Sequence, residues 1–445
     1  MKRRLGALIA AALAAPAVAR AETHWVKGPY IQDAAPTSIT ILFETGESAP
    51  GKVVVTGPDG DHEVTASDTQ RHEVVVDGLR PATRYRYKVT VAGATQSGEL
   101  TTAPEPGTDA PLTFVVYGDT REYAESHRRV MERIRNEVPD FLLGTGDMVD
   151  EGSKGEQWQT FFDIEGPLLR DNVLYPALGN HDRQGRGRTA DTYRAFFAVP
   201  ENSPDPERYY AFTYGASRFF ILDSNSYSFA LTDQTAWLEK ELAAARDDRR
   251  VRHLFVVMHH PPYSISLHGG QRDLRERWTP LFEKYGVAAV FSGHDHVYER
   301  AEVGGVHYFV SGGGGAPLYP KKAHSAQIDL DAVKYFERVN HYLRVHIVGD
   351  QLEVTAVRVD GTPIETTTWS DTRGEPAVAA AGGPAASADS GAALAPPPAP
   401  PPSTPAIAAS TPAEDGGRSS IGWTVAAGAL LVLGALAALW RALRS

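Results

Sequence analysis

Hydrophobic positions along this chain follow two rhythms. In the middle they gather into short apolar runs, Leu112–Tyr117, Phe141–Leu143, Val173–Leu178, Val251–Met258 and Val287–Phe291, each soon closed by Gly or Pro. Runs of that kind predict strands buried on both faces. Val130, Ile134 and Val138 recur at helical spacing and predict a helix between the first two strands. Nearer the start, apolar and polar residues alternate in Ser38–Phe43, Lys52–Val55, His72–Val76 and Tyr85–Val91, with turn signals such as Pro58-Asp59-Gly60 between them. His341–Val348 and Gln351–Val359 predict a hairpin around Gly349-Asp350. The expected fold class is α/β of the layered α+β kind, preceded by an all-β region.

Polar motifs stand where the central runs end: Gly118-Asp119, Gly146-Asp147, Gly179-Asn180-His181-Asp182, Met258-His259-His260-Pro261 and Gly293-His294-Asp295-His296. Loops beyond the carboxyl ends of strands in α/β layers converge in space, so residues far apart in sequence meet there. Carboxylates, an amide oxygen and imidazoles together make the mixed O/N ligand set that suits two adjacent divalent or trivalent metals. Any one motif alone is an ordinary polar loop. Five in order are a site.

These motifs, read as G-D, G-D-M-V-D, G-N-H-D, V-V-M-H-H-P-P-Y and G-H-D-H-V-Y-E-R, resemble the calcineurin-like metallophosphoesterase superfamily and its purple acid phosphatase-like branch, over Pro29 to Trp369. The resemblance implies a β-sandwich core flanked by helices that carries two metal ions, from among Fe, Zn and Mn. It implies that Asp147 bridges both ions, that Asp119 and His296 serve one, and that Asn180, His259 and His294 serve the other. Two positions depart from the pattern. Arg121 stands where the superfamily often has a His ligand, and Asp150 stands where purple acid phosphatases carry a tyrosine. The colour-giving tyrosinate is therefore absent from that position. Asp150 is either a replacement ligand or a loop-capping carboxylate.

His181 follows a ligand and is expected at the rim, protonating a leaving group or stabilising phosphate, with Asp182 setting its tautomer or basicity. Arg121, His260 and His268 are expected at the substrate; for Arg121 a salt bridge to a neighbouring carboxylate is an equal alternative. Ser311-Gly312-Gly313-Gly314-Gly315 lacks the G-K-[ST] ending of a phosphate loop. It reads as a turn passing close to the site, with Gly permitting positive φ.

A chain of 445 residues is too long for one domain. Residues 1–21 have a basic start, an Ala/Leu-rich middle and Ala19-Arg20-Ala21, the features of a secretory signal peptide. Residues 22–106 are expected to form a fibronectin type III-like sandwich, because Leu79–Tyr87 looks like a tyrosine-corner segment. The same kind of domain precedes many purple acid phosphatases. Residues 110–370 would be the catalytic domain. Residues 371–420 are a Pro/Ala-rich spacer, and 421–440 an apolar stretch long enough to span a bilayer, or a sorting signal removed after export.

No cysteine is present, which excludes disulfides and thiol chemistry. A net charge of −11 without a basic run gives no footprint for nucleic acid. The expectation is an exported phosphomonoesterase, periplasmic or at the cell surface and held to the membrane by its C-terminal helix. The alternatives are a phosphodiesterase acting on nucleotides or lipid head groups, and a surface-binding protein with a degenerate core.

Overall fold

The computed structural model describes residues 24–184, 189–227 and 230–372. The proposed signal peptide and C-terminal helix lie outside the described residues, as does the spacer beyond residue 372; its first residue, Asp371, is buried against His253 at 2.9 Å. Among those described, no helix is long and apolar enough to cross a membrane.

The alternating segments form one five-stranded antiparallel sheet from β1 (Trp25–Gln32), β2 (Ser38–Gly57), β3 (Gly60–Asp77), β4 (Arg84–Val91) and β5 (Ala94–Thr101). Val53, Val55, Val74, Val76, Tyr85, Tyr87 and Val89 bury their side chains, as the alternation requires. The two segments expected before and after residue 50 are one strand. Register shifts against β3 between Glu44 and Gly51 absorb the break, so the first part of β2 pairs with β1 and the last with β4. The Tyr85 hydroxyl accepts the Arg80 N–H at 2.8 Å, the contact of a tyrosine corner.

The central runs become β6 (Leu112–Tyr117), β7 (Phe141–Gly144) and β8 (Leu174–Pro176), with α1 (Ala124–Ile134) and α2 (Gly155–Leu169) between them. There follow α3 (Asp191–Phe196), β9 (Tyr210–Tyr214), β10 (Ser217–Leu222), α4 (Thr232–Asp247), β11 (His253–Met258), α5 (Arg272–Tyr285) and β12 (Ala289–Ser292). Then come β13 (Tyr298–Val303), β14 (Val306–Ser311), α6 (Gln327–Ala332), β15 (Val333–Glu337), β16 (His341–Val348), β17 (Gln351–Arg358) and β18 (Pro363–Ser370). One sheet has the order β18-β17-β16-β6-β7-β8 and the other β15-β13-β14-β12-β11-β10-β9. The strands that carry the motifs run parallel within each sheet, β6 to β8 in the first and β11 with β12 in the second.

The two sheets face each other across an aromatic core. Phe114 meets Phe219, Phe255 and Phe291 at ring distances of 5.4, 5.7 and 6.0 Å, all edge to face. Val130 and Ile134 of α1 are buried as the periodicity predicts. Val138 is not part of that helix: it has a φ of 49° and is 83% exposed. Pro139 follows it, and a residue before proline is driven out of the helical region.

Candidate metal centre

Each motif lies in the loop leaving its strand: Asp119 after β6, Asp147 after β7, Asn180 after β8, His259 after β11, and His294 and His296 after β12. The loops are tied by their backbones, Asp119 N–H to the Gly146 carbonyl at 2.8 Å and Gly293 N–H to that of His259 at 2.9 Å. Their glycines are there for space. A Cβ on Gly179 would lie 2.1 Å from the Asp147 nitrogen, and one on Gly293 would lie 2.2 Å from Asp119 Oδ2. Asp119, Asp147 and His294 adopt φ values of 57°, 55° and 67°. Non-glycine residues hold that region at a cost of order 1–3 kcal/mol each, a cost that persists where function over-determines the backbone.

The six expected ligands come together. His259 donates Nδ1–H to the Thr145 carbonyl at 2.8 Å, which leaves Nε2 facing Asn180 Oδ1 at 2.9 Å and Asp147 Oδ1 at 3.3 Å. His294 Nδ1 faces the same Asn180 oxygen at 3.0 Å. On the other side His296 donates Nδ1–H to the Pro317 carbonyl at 2.7 Å, so its Nε2 faces Asp119 Oδ1 at 3.4 Å. His296 Nε2 and Asp147 Oδ2 are buried without hydrogen-bond partners. Lone pairs crowded together in this way repel one another unless a cation, whether a proton on His259 Nε2 or a metal ion, sits among them. The donor set therefore fits metal ions: Asp119, Asp147 and His259 offer ligand atoms within 4.8 Å of one another, and so do His259, His260 and His294. The carbonyl partners of His259 and His296 fix tautomers as such ligands require.

The electrostatics agree. Burial alone would raise the Asp147 carboxyl, but His259, His181 and Arg121 hold it well below the usual carboxylate range. Burial pulls His259 down, and Asp147 and Asp119 outweigh it to lift the imidazole to about 9. His260 and His294 are pushed down by burial and by neighbouring imidazoles, so both are neutral.

The rim residues partly follow the sequence. His260 donates or accepts through Nδ1 at Ser224 Oγ, 2.9 Å away, and its ring lies 4.3 Å from His294. His268 lies 4.3 Å from His294 on another side. Both line a cleft of about 330 Å3 with Asn180, Arg183, Asn225 and His294. Arg121 lies against carboxylates: it bonds Asp150 at 2.8 Å, pairs with Glu122, and has Nε 3.5 Å from Asp147 Oδ2. The two residues that depart from the family pattern thus pair with each other.

Two expectations need correction. Asp182 does not orient His181. It is fully buried and accepts the N–H groups of Asp147 at 2.9 Å, Met148 at 2.8 Å and Gly179 at 2.8 Å, stitching the second and third motifs together. Burial and nearby Asp147 raise it to about 6. His181 is held by Asp150 instead, its Nδ1 2.7 Å from that residue's carbonyl and 3.4 Å from Oδ1. The glycines of Ser311–Gly315 need room, not positive φ: a Cβ on Gly313 would lie 2.2 Å from His341 Nδ1, and one on Gly314 would lie 2.2 Å from the Gly118 carbonyl oxygen. Neither Glu122 nor Tyr319 lies at a motif position that marks it in the sequence. Tyr319 stacks on His296 at 4.0 Å and 15°, and the only pointer to it was the glycine run just before it.

Residues 112–298 match the model of the family described as calcineurin-like phosphoesterase. An uncharacterized protein of Mycobacterium tuberculosis is 29% identical over 59% of this chain and 56% of its own. The purple acid phosphatase of Glycine max is 28% identical over 57% of each chain. The chain spans little more than half the length of these relatives. A purple acid phosphatase from yellow lupin (Lupinus luteus) seeds shares the fold, with a TM-score of 0.66 and 20% identity over 78% of this chain and 74% of that one. With its layered sheets and ordered motif loops, the chain carries over residues 112–298 a region that matches the calcineurin-like phosphoesterase family, and it is similar to purple acid phosphatases.

Proposed function

We propose that the chain is an exported, metal-dependent phosphomonoesterase. The observation that carries the reading is the pair of converging donor sets, Asp147 Oδ2 and His296 Nε2 with Asp119 on one side, and Asp147 Oδ1, Asn180, His259 and His294 on the other. Two ions bound there would lower the pKa of a shared water and neutralise charge developing on a phosphoryl group. The chain's own residues supply the rest. Arg121 brings a fixed positive charge beside Asp147, held from behind by Asp150 and Glu122. His181 gives its Nδ1–H to the Asp150 carbonyl, which leaves Nε2 to exchange a proton with a leaving group. The cleft of about 330 Å3 beside Asn180 and His294 gives room for the alcohol part of the ester.

Purified protein reconstituted with metal should hydrolyse an aryl phosphomonoester faster than the matching diester, and Asp147→Ala should lose both activity and metal. Preference for the diester would favour the phosphodiesterase alternative. A wild-type protein that holds no metal and hydrolyses neither would make the core a binding module. Export and membrane attachment rest on the composition of residues 1–21 and 421–440. Fractionation should place the protein outside the cytoplasm with the membrane; recovery from the cytosol would remove that part of the reading.

A further inference from the structure

Beyond the glycine run the chain folds back along His296. Tyr319 donates its N–H to the His296 carbonyl at 3.2 Å, and the Pro317 carbonyl takes the Nδ1–H of the same histidine at 2.7 Å. The phenol ring lies nearly parallel to the imidazole, 4.0 Å away and tilted by 15°. Tyr319 is therefore fixed to the side chain whose Nε2 faces Asp119. Its hydroxyl oxygen receives Nη2–H of Arg121 at 3.4 Å, and Arg121 is itself tied to Asp147 and Asp150. Among the described residues no acceptor takes a hydrogen bond from the Tyr319 hydroxyl.

A half-buried phenol whose oxygen is engaged and whose hydrogen is not is a donor waiting for an acceptor. Stacking also decides what it cannot be. An ion held by His296 would be bound at Nε2. The stack sets the phenol against the face of the imidazole rather than in line with Nε2, so Tyr319 would be placed beside a group bound there and not as a further ligand.

We propose that Tyr319, acting with Arg121, binds the phosphoryl oxygen of the ester on the Asp119–His296 side of the centre, Tyr319 as hydrogen-bond donor and Arg121 as the accompanying charge. The inference rests on the phosphoesterase reading and extends it to a residue outside the five motifs.

Tyr319→Phe keeps the ring and its stack on His296, so it tests the hydroxyl alone. In metal-loaded protein the variant should bind inorganic phosphate about tenfold more weakly by calorimetry and lose about 10- to 100-fold in kcat/KM. Its metal content should equal that of wild type. Unchanged phosphate affinity and kcat/KM, in a wild type that binds phosphate and turns over, would overturn the role of Tyr319 and leave the phosphoesterase reading standing. Loss of one metal equivalent, or a visible charge-transfer band in iron-loaded wild type that vanishes in Tyr319→Phe, would make Tyr319 a ligand and overturn the proposal. A wild type that neither binds phosphate nor hydrolyses esters would overturn both readings together.

Discussion

At the scale of single residues the site is governed by where lone pairs and protons end up. His259 illustrates it: burial disfavours its charge, yet Asp147 and Asp119 lift it to about 9. A metal ion must displace that proton, so ion binding and proton release are linked. Apparent metal affinity should rise with pH up to about 9, by roughly tenfold per pH unit for each proton displaced. At pH 7 binding should release at least one proton, measurable by calorimetry in buffers of different ionisation enthalpy. Binding at pH 7 without proton release would mean that His259 is neutral in the free protein. The motifs announced the candidate ligands because their types and order are local. The partners of Arg121 were not legible, because Asp150 and Glu122 become its counter-ions only when the loops after β6 and β7 meet.

At the scale of elements, the loops hold their ligands through buried polar contacts that cross from one strand end to another. Asp182 is one such contact. Glu299, in β13, is a second: it is buried, its Oε1 accepts the Ile265 N–H at 3.1 Å, and Oε2 has no partner among the described residues. Burial and the charge of Asp295 push its carboxyl up to about 8. In the unfolded chain it would ionise near the ordinary value of about 4.3. Between those values the folded state holds a proton that the unfolded state has lost, so stability falls as pH rises through the window. The contribution is complete below the lower value and gone above about 8. Glu299→Gln should therefore flatten the decline of stability from pH 5 to 8, read as urea midpoints of the metal-free protein. A variant with the wild-type pH slope would assign that decline to other groups.

At the scale of the whole described molecule, the N-terminal sheet is built onto the layered unit. One hydrophobic cluster runs from Tyr30 and Tyr87 through to Phe114 and Tyr342. Hydrogen bonds cross the same boundary: Tyr30 Oη–H to the Phe196 carbonyl at 2.8 Å, Tyr87 Oη–H to that of Arg170 at 2.7 Å, and Tyr175 Oη–H to that of Ala34 at 3.1 Å. The sheet buttresses α2 and β8, from whose end Asn180 projects. Tyr87→Phe should cost about 1 kcal/mol in unfolding free energy, with both regions unfolding in one transition. Two separated transitions in the wild type would show that the regions are independent and the shared core is not cooperative.

The amino-acid sequence alone determined the five motif-bearing strands, most of the alternating N-terminal strands and the set of six candidate ligands, because hydrophobic periodicity and side-chain chemistry are properties of residues within a few positions of one another. Leu112–Tyr117 and His341–Val348 kept the bounds their patterns gave. Where a neighbour outweighed the pattern, as at Val138 before Pro139, the residue still lay within the chain's own local reach. Tertiary structure alone decided which polar group meets which. Asp182 turned from its neighbour His181 to the amides around Asp147, and Arg121 found Asp150, the other residue that departs from the family pattern. Tyr319 came to lie on His296. A buried polar group must be paired wherever the fold brings a partner, and sequence spacing carries no record of contacts made between strand ends far apart along the chain.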